Sequence, residues 1–234
     1  MPAKNSIKTY IENGFYHVYN RGVEKRNIFL DEQDYRVFLS YLKIYLTPSV
    51  EVIDAINKNT NLDNEDKNTK IHRLNELKNY SEKINLICYV LMPNHFHLEL
   101  QQIGKKDIGN FMQSLITKYT VYFNKKYKRV GSLFQGRYKA VLIFGKEYLI
   151  NLSKYIHLNP LGILTQGQTI ELYPWSSYPE YIQNIEIKWL KKDYILKYFH
   201  ESKIPYKDFV ENENDSDKQI GLELRKLLLD YDRV

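Results

Sequence analysis

The sequence predicts an α+β fold, a ferredoxin-like antiparallel sheet of the split βαβ type with an added helix and a helical C-terminal extension. Four short segments have strand character, and two longer segments between them carry apolar residues at helical spacing. The resulting order is β-α-β-β-α-β-α, whose first six elements form the split βαβ arrangement. Helices then pack on one face of the sheet, and we expect the other face to be open for a ligand.

The first strand is predicted at 15–20 (FYHVYN), where aromatic and β-branched residues predominate. Asp31 is a candidate N-cap for the first helix, because apolar residues recur at helical spacing directly after it. Residues 48–83 differ, since 51–83 hold seven acidic and six basic residues and only a weak helical pattern. We interpret 48–83 as a solvated, partly helical insertion.

The core resumes with two strands at 84–92 (INLICYVLM) and 95–100 (HFHLEL). A helix is predicted over 107–127, and 138–144 is the fourth strand. The last core helix begins near Lys146 and stops at Pro160, because proline disfavours helical geometry in the residue before it.

Two regions follow from this order. Residues 1–182 form one domain that contains the insertion, and residues 183–234 form a helical extension. The extension is predicted to be helical to about Val210, followed by the acidic stretch ENENDSDK and a terminal helix.

Basic residues are concentrated in one part of the chain. The net charge is +6, yet residues 104–146 alone hold ten basic residues and one acidic residue. Interleaved with Tyr and Phe, such a segment suits a phosphate backbone and unstacked bases, whereas the alternative is a solvated helix face. The candidate DNA contacts in it are Lys125, Lys126, Lys128 and Arg129.

Cys88 is the only cysteine, which excludes an intrachain disulfide and a cysteine-rich metal site. The N-terminal sequence MPAKNSIKTY lacks the apolar region of a signal peptide, and no apolar stretch approaches the ~18 residues of a membrane span. We therefore expect a cytoplasmic protein without a membrane partner.

The alternation in HFHLEL puts His95, His97 and Glu99 on one sheet face and the apolar residues between them on the other. Two imidazoles at positions i and i+2 of a rigid strand converge, which is ligand geometry for a divalent metal. A pair of surface histidines is the alternative.

The segment LMPNHFHLEL resembles the HUH motif (His, hydrophobic, His) of the single-tyrosine, IS200-like transposases, most closely the REP-associated tyrosine transposase branch. Further segments fit that branch in the same order: FYHVYNRGVEKRNIF, GSLFQGRYKA, and KYIHLNPLGI followed by YPWSSY. The similarity covers roughly residues 13–182, except 48–83.

The resemblance implies that Tyr155 in KYIHLNP is a nucleophile that cleaves and rejoins single-stranded DNA near hairpins or palindromic repeats through a 5′-phosphotyrosine. It implies a Mg²⁺ or Mn²⁺ ion on His95 and His97. Asn159, one helical turn after Tyr155, is the candidate third ligand. The expected partner is single-stranded or hairpin DNA, which makes the protein nucleoid-associated, as a monomer or a homodimer.

Arg21, Gln135 and Arg137 are further candidates for DNA contacts. They flank the first and last strands, where planar guanidinium groups suit bidentate phosphate binding and Gly136 lets the backbone approach DNA. Surface positions or salt bridges are the alternative for both arginines.

Two other functions stay open. One is an HUH replication-initiator or conjugative nickase, although relaxases usually place the tyrosine ahead of the histidines. The other is a catalytically weak, domesticated DNA-binding protein that kept the fold.

Overall fold

The sheet has four antiparallel strands, β1 (Phe15–Arg21), β2 (Ile84–Met92), β3 (His95–Gln102) and β4 (Lys139–Ile143). Their order in the sheet is β2-β3-β1-β4. The computed structural model describes residues 9–183, 185–200 and 205–212. The predicted α+β, ferredoxin-like fold is confirmed, because the strand order and the intervening helices are those of the split βαβ arrangement.

Eight α-helices accompany the sheet within the described ranges. They are α1 (Glu32–Leu46), α2 (Ser49–Lys58), α3 (Asn64–Asn75), α4 (Asp107–Lys126), α5 (Lys146–Leu158), α6 (Tyr178–Ile182), α7 (Asp193–His200) and α8 (Tyr206–Glu211). None of the helices described is both long enough and apolar enough to cross a membrane.

The predicted ends of the key helices are confirmed. The Asp31 side chain caps α1 by accepting a hydrogen bond of 3.1 Å from the backbone N–H of Asp34. Helix α5 ends at Leu158, and the chain then tightens into a 3₁₀ turn over Asn159–Gly162. Pro160 lacks an N–H for a further helical hydrogen bond, which explains this end.

One face of the sheet carries the hydrophobic core with α1 and α4. Phe96, Leu98 and Leu100 of β3 are fully buried there, and the Phe38 ring of α1 lies 5.3 Å from the Phe96 ring between centroids. Burial of such side chains contributes about 1.5–3 kcal/mol each, so this face holds much of the stability of the domain.

Helices α2 and α3 account for most of the 48–83 segment. No residue of α2 is buried, and Leu74 alone is buried in α3. The segment is therefore a largely exposed helical pair, as expected of a solvated insertion.

The expectation of an open second face is wrong. Helix α5 lies over β2 and β3 with Leu149, Leu152 and Ile156 buried beneath it. Strand β2 explains the cover, because its continuous apolar run is buried on both faces. Alternation in β3 showed which side chains share a face but not whether a helix covers them.

The chain after α5 also closes this side. It meets the edge of β2 at two places. The backbone N–H of Leu91 donates to the Trp175 carbonyl at 2.8 Å, and that of Lys191 donates to the Leu86 carbonyl at 2.7 Å. Helix α8 is hydrogen-bonded to α5. The buried Lys154 ammonium of α5 donates to the carbonyls of Phe209 in α8 and of Asn212 directly after it, at 2.7 Å each. The predicted acidic stretch beyond residue 212 and the terminal helix lie outside the described residues.

Lys126, a predicted DNA contact, takes part in an ion-pair network within the protein. Its ammonium donates to both carboxylate oxygens of Asp31 and to Asp34 Oδ1, all at 2.8 Å. Asp34 is fully buried and also accepts from the hydroxyls of Tyr122 and Tyr127. Lys126 thus joins the end of α4 to the start of α1, and its donors are used inside the protein.

The substitution Lys126→Met is expected to lower the free energy of unfolding by about 1–3 kcal/mol, because it leaves a buried carboxylate without its cationic partner. Urea denaturation measures this. The neighbouring Lys125 is exposed, so Lys125→Met should change stability by less than about 0.5 kcal/mol. Equal stability of the two variants would contradict the structural role of Lys126.

Candidate active site

The register between β1 and β3 assembles the site. It pairs His95 with Arg21, His97 with Tyr19 and Glu99 with His17. Directly paired residues of antiparallel strands project from the same face, so these six side chains all lie on the face that α5 covers.

His97 is buried, with 5% of its surface exposed, and it shares a hydrogen bond of 2.8 Å between its Nδ1 and His17 Nε2. Burial lowers the pKa of His17 to about 3, and burial together with the neighbouring His17 and His95 holds the pKa of His97 well below its usual range. Both imidazoles are therefore neutral at pH 7, which is the form that binds metals.

His95 lies at the end of β3 and is half-buried. Its Nδ1–H donates to Asn94 Oδ1 at 2.6 Å, and its ring is 5.0 Å from the His97 ring at an interplanar angle of 85°. In both histidines Nδ1 is thus hydrogen-bonded to a neighbour, an arrangement typical of metal-ligating histidines that bind through Nε2. The chemistry of the pair is compatible with a divalent cation, and the metal stays a prediction.

A third protein ligand would be an amide. The described part of the chain has no group of three or more His, Cys, Asp and Glu side chains that could hold a metal ion. Asn159 keeps helical geometry (φ −50°, ψ −40°) although proline follows it, and its Nδ2 donates to the Tyr155 carbonyl at 2.8 Å. Because that bond uses the amide nitrogen, Oδ1 would be the atom that binds a metal. The role of Asn159 as a ligand stays a prediction.

Tyr155 lies on the inner side of α5, above the histidines. Its ring centroid is 5.7 Å from that of His97 and 6.0 Å from that of His17, edge-on in both cases. Its hydroxyl-bearing ring and the histidine pair therefore belong to one site within a single chain.

Arg21 and Gln135 form one unit at the His95 end of the site. Arg21 Nε donates to Gln135 Oε1 at 2.7 Å, and the backbone N–H of Gln135 donates to the Arg21 carbonyl at 2.8 Å. Arg21 has only 6% of its surface exposed, and it pairs with His95 in the strand register. Arg137 is exposed on the same loop, after Gly136 with φ +67° and open space around it.

The basic segment leads into this end of the site. Lys125 and Lys128 are exposed near the end of α4, whereas Arg129 is half-buried, lies over the Phe123 ring and donates to Asn124. The loop that follows α4 is hydrogen-bonded to the chain just after β1, since the backbone N–H of Val23 donates to the Leu133 carbonyl.

His17 and Tyr19 are site residues that the motifs did not reveal. Both rings lie against His97, with centroid distances of 5.0 Å and 5.6 Å. The period of two in FYHVYN puts them on one face, and the β1–β3 register, which the sequence does not state, shows that it is the His97 face.

Glu99 lies under the site and is fully buried. It accepts a hydrogen bond of 3.1 Å from the Cys88 thiol, and its Oε1 has no partner in the described residues. Burial raises the pKa of Glu99 to about 8, so the side chain is mainly protonated at pH 7. It therefore adds no full charge beneath the histidines.

Comparison with known proteins supports the resemblance. The family described as transposase IS200-like matches residues 50–159, a little under half of the chain, and that range contains His95, His97, Tyr155 and Asn159. The match begins inside the 48–83 segment, which lies outside the motifs that carry the resemblance. The resemblance to IS200-like transposases is thus confirmed.

A solved structure shares the fold. A REP-associated tyrosine transposase bound to a REP hairpin superposes with a TM-score of 0.50 and 13% sequence identity, over 79% of this chain and 89% of that chain. No curated protein sequence matches the chain significantly.

The protonation of buried Glu99 can be tested through the pH dependence of stability. The folded protein keeps a proton on Glu99 up to about pH 8, whereas the unfolded chain releases it near pH 4.5, so folding loses stability as the pH rises between these values. Glu99→Gln has no such proton. Its stability relative to the wild type should grow by about 1 kcal/mol per pH unit from pH 5 to 8.

Urea denaturation at several pH values measures this difference in the metal-free protein. Glu12 is exposed, and Glu12→Gln should shift stability equally at every pH. A Glu99→Gln difference that does not change with pH would show that the carboxyl is ionised in the folded protein.

Proposed function

We propose that this protein is a metal-dependent, single-tyrosine DNA strand transferase of the HUH type, which cleaves and rejoins single-stranded DNA near hairpins or palindromic repeats. The observation that supports it most is the placement of Tyr155 next to His97 of the same chain, with ring centroids 5.7 Å apart. A tyrosine that faces the neutral imidazoles of His17 and His97 fits phosphoryl transfer to a phenol.

In this proposal His95 and His97 bind Mg²⁺ or Mn²⁺ through Nε2, with Asn159 Oδ1 as the third ligand. The bound cation would polarise the scissile phosphate and stabilise the charge that develops during transfer. Two of these proposed ligands lie on β3, and the third directly follows the helix that carries Tyr155.

Tyr155 Oη would attack the phosphorus, so that an O–P bond forms while the bond from phosphorus to the 3′-oxygen breaks. The phenol gives up its proton, and the departing 3′-oxygen takes one. The phosphotyrosine keeps the energy of the broken bond, so a 3′-hydroxyl can reverse the step without a nucleotide cofactor.

The substrate would be bound from the Arg21 end. Arg21, oriented by Gln135, and the exposed Arg137 are suited to bidentate phosphate contacts. Lys125, Lys128 and Arg129 extend the positive charge along the approach to that loop. A hairpin next to the cleaved strand is the substrate we propose, by analogy with the REP hairpin bound to the structural relative.

In this proposal one copy holds a whole site, because Tyr155 lies next to His97 of its own chain, and the protein is a monomer or a homodimer. A DNA-acting enzyme of this kind would act in the cytoplasm, at the nucleoid. We propose that residues 1–182 are the catalytic domain and that residues 183–234 are its extension. The two are in contact, because α8 packs on α5.

Tyr155→Phe is expected to abolish covalent adduct formation and nicking, because it removes the attacking oxygen and keeps the ring. DNA binding should persist, since the basic residues are untouched. The measurement is a protein–DNA band on a denaturing gel, with a 3′-labelled hairpin-bearing strand and Mn²⁺.

The matched control is Tyr148→Phe, which lies two turns earlier on the same helix and should still form the adduct. Adduct from Tyr155→Phe would show that another tyrosine is the nucleophile. Absence of adduct from the wild type with every hairpin and metal would favour a DNA-binding protein without strand-transfer activity.

His95→Ala should weaken Mn²⁺ binding by more than about tenfold, because the variant has no imidazole at this ligand position. His95 is preferred to His97 for this test, since removal of His97 would also leave buried His17 without its hydrogen bond. Calorimetric titration measures the affinity, and His72→Ala on exposed α3 is the control. Unchanged affinity would exclude His95 as a ligand.

Neutralising Lys125 and Lys128 together should weaken single-strand binding and reduce its salt dependence by roughly 0.7 log unit for each phosphate that the variant no longer neutralises. Binding measured from low to moderate salt gives this slope. Adding Lys126→Met should not reduce the slope further, because that ammonium is paired with Asp31 and Asp34. If the salt dependence of binding is the same in the Lys125 and Lys128 double variant as in the wild type, both lysines are solvated surface residues that do not contact DNA.

A further inference from the structure

His17 and His97, on neighbouring strands, share a buried hydrogen bond between two ring nitrogens. We infer that His17 is a positioning residue for His97: it accepts the Nδ1–H of His97 and thereby presents the lone pair of His97 Nε2 to a divalent cation. The inference rests on the proposed function, because it names the residue that prepares one of the proposed ligands.

The strand register brings His17 close to His97. His17 pairs with Glu99, two residues from His97, so the two histidines are diagonal neighbours across β1 and β3. Diagonal neighbours are within reach of aromatic side chains. The nitrogens are 2.8 Å apart, within ordinary hydrogen-bond distance.

The surroundings hold both rings in place. His17 has 1% of its surface exposed, and its ring is parallel to that of His97 within 20°. The Tyr19 ring stacks on both, at centroid distances of 4.8 Å and 5.6 Å. Packed on two paired strands, neither imidazole has room to turn over readily, so the hydrogen bond fixes the orientation of His97.

The two possible tautomers have opposite consequences for a metal. A hydrogen bond between two neutral imidazoles contains one proton, which belongs to one ring. If His97 donates from Nδ1, its Nε2 keeps a lone pair; if His17 donates, His97 carries its proton on Nε2 and cannot ligate there. Metal-ligating histidines generally donate their other N–H to a fixed acceptor, and His17 Nε2 is such an acceptor.

The choice of acceptor explains why a histidine suits this position. A carboxylate would place a negative charge in a site that is already closed by α5, whereas neutral imidazole accepts one hydrogen bond without adding charge. His95 differs, because its Nδ1–H donates to Asn94 in the turn before β3. The two proposed ligands are therefore oriented from two different elements of the fold.

The test compares H17L with H17Q in metal-free protein and in protein with Mn²⁺ alone. Gln keeps an acceptor oxygen near the position of His17 Nε2, whereas Leu has none. Long-range ¹H–¹⁵N spectra of the imidazoles should show His97 protonated on Nδ1 in the wild type and in H17Q. Calorimetry should show Mn²⁺ affinity about 10- to 100-fold weaker in H17L, and H17Q closer to the wild type.

His97 protonated on Nε2 in the metal-free wild type would overturn the inference, as would Mn²⁺ affinity in H17L equal to that of the wild type. Should H17L fail to fold, H17Q decides: absence of the Nδ1–H form there also overturns it. The tautomer is read without metal or DNA. Failure of the wild type to bind Mn²⁺ would therefore refute the proposed metal site separately from the orientation of His97 by His17.

Discussion

Pairing of β1 with β3 is the constraint on which the rest of the site depends. A shift of one residue in this register would turn His17, Tyr19 and Arg21 to the opposite face, away from His95 and His97. Val18 of β1 and Phe96 and Leu98 of β3 are fully buried in the hydrophobic core on the other face, which fixes the register. Stability of the core and assembly of the site therefore follow from the same alternation.

The covered face of the sheet holds an unusual set of neutral polar groups. His17, His97 and Glu99 are all buried, and burial moves the pKa of each toward its uncharged form. Buried groups of this kind lower stability unless they are hydrogen-bonded, and the unpartnered oxygen of Glu99 marks a remaining cost. His17 and His97 are therefore held in the neutral form, which is the form of imidazole that binds metals.

Helix α5 links this chemistry to the C-terminal part of the chain. The residues beside Tyr155 are tied to α8: Lys154 donates to two carbonyls there, and His157 shares a hydrogen bond of 2.7 Å with the hydroxyl of Tyr206. His157 is buried, and its second ring nitrogen bonds Ser177 Oγ. The motif around Tyr155 thus combines one residue that faces the site with two that anchor the helix.

Sequence patterns were sufficient for the strands, the helix ends and the faces of β3, because each depends on local periodicity or on capping. They were insufficient for the cover over the histidines and for the role of Lys126, which depend on contacts between distant segments. Lys126 lies in a basic segment of the kind that binds DNA. Asp31 and Asp34 lie next to it only after α1 and α4 pack together. Likewise, His17 joins the site through a register between strands about 80 residues apart, as its hydrogen bond to His97 shows.

Diffraction from crystals containing Mn²⁺, with the anomalous signal of the metal, is the most direct test of the proposed metal site. The predicted result is one manganese ion bound by Nε2 of His95 and His97 and by Oδ1 of Asn159, beside the Tyr155 hydroxyl. Manganese at another place, or bound to neither histidine, would contradict the assignment of this buried face as a metal-dependent active site.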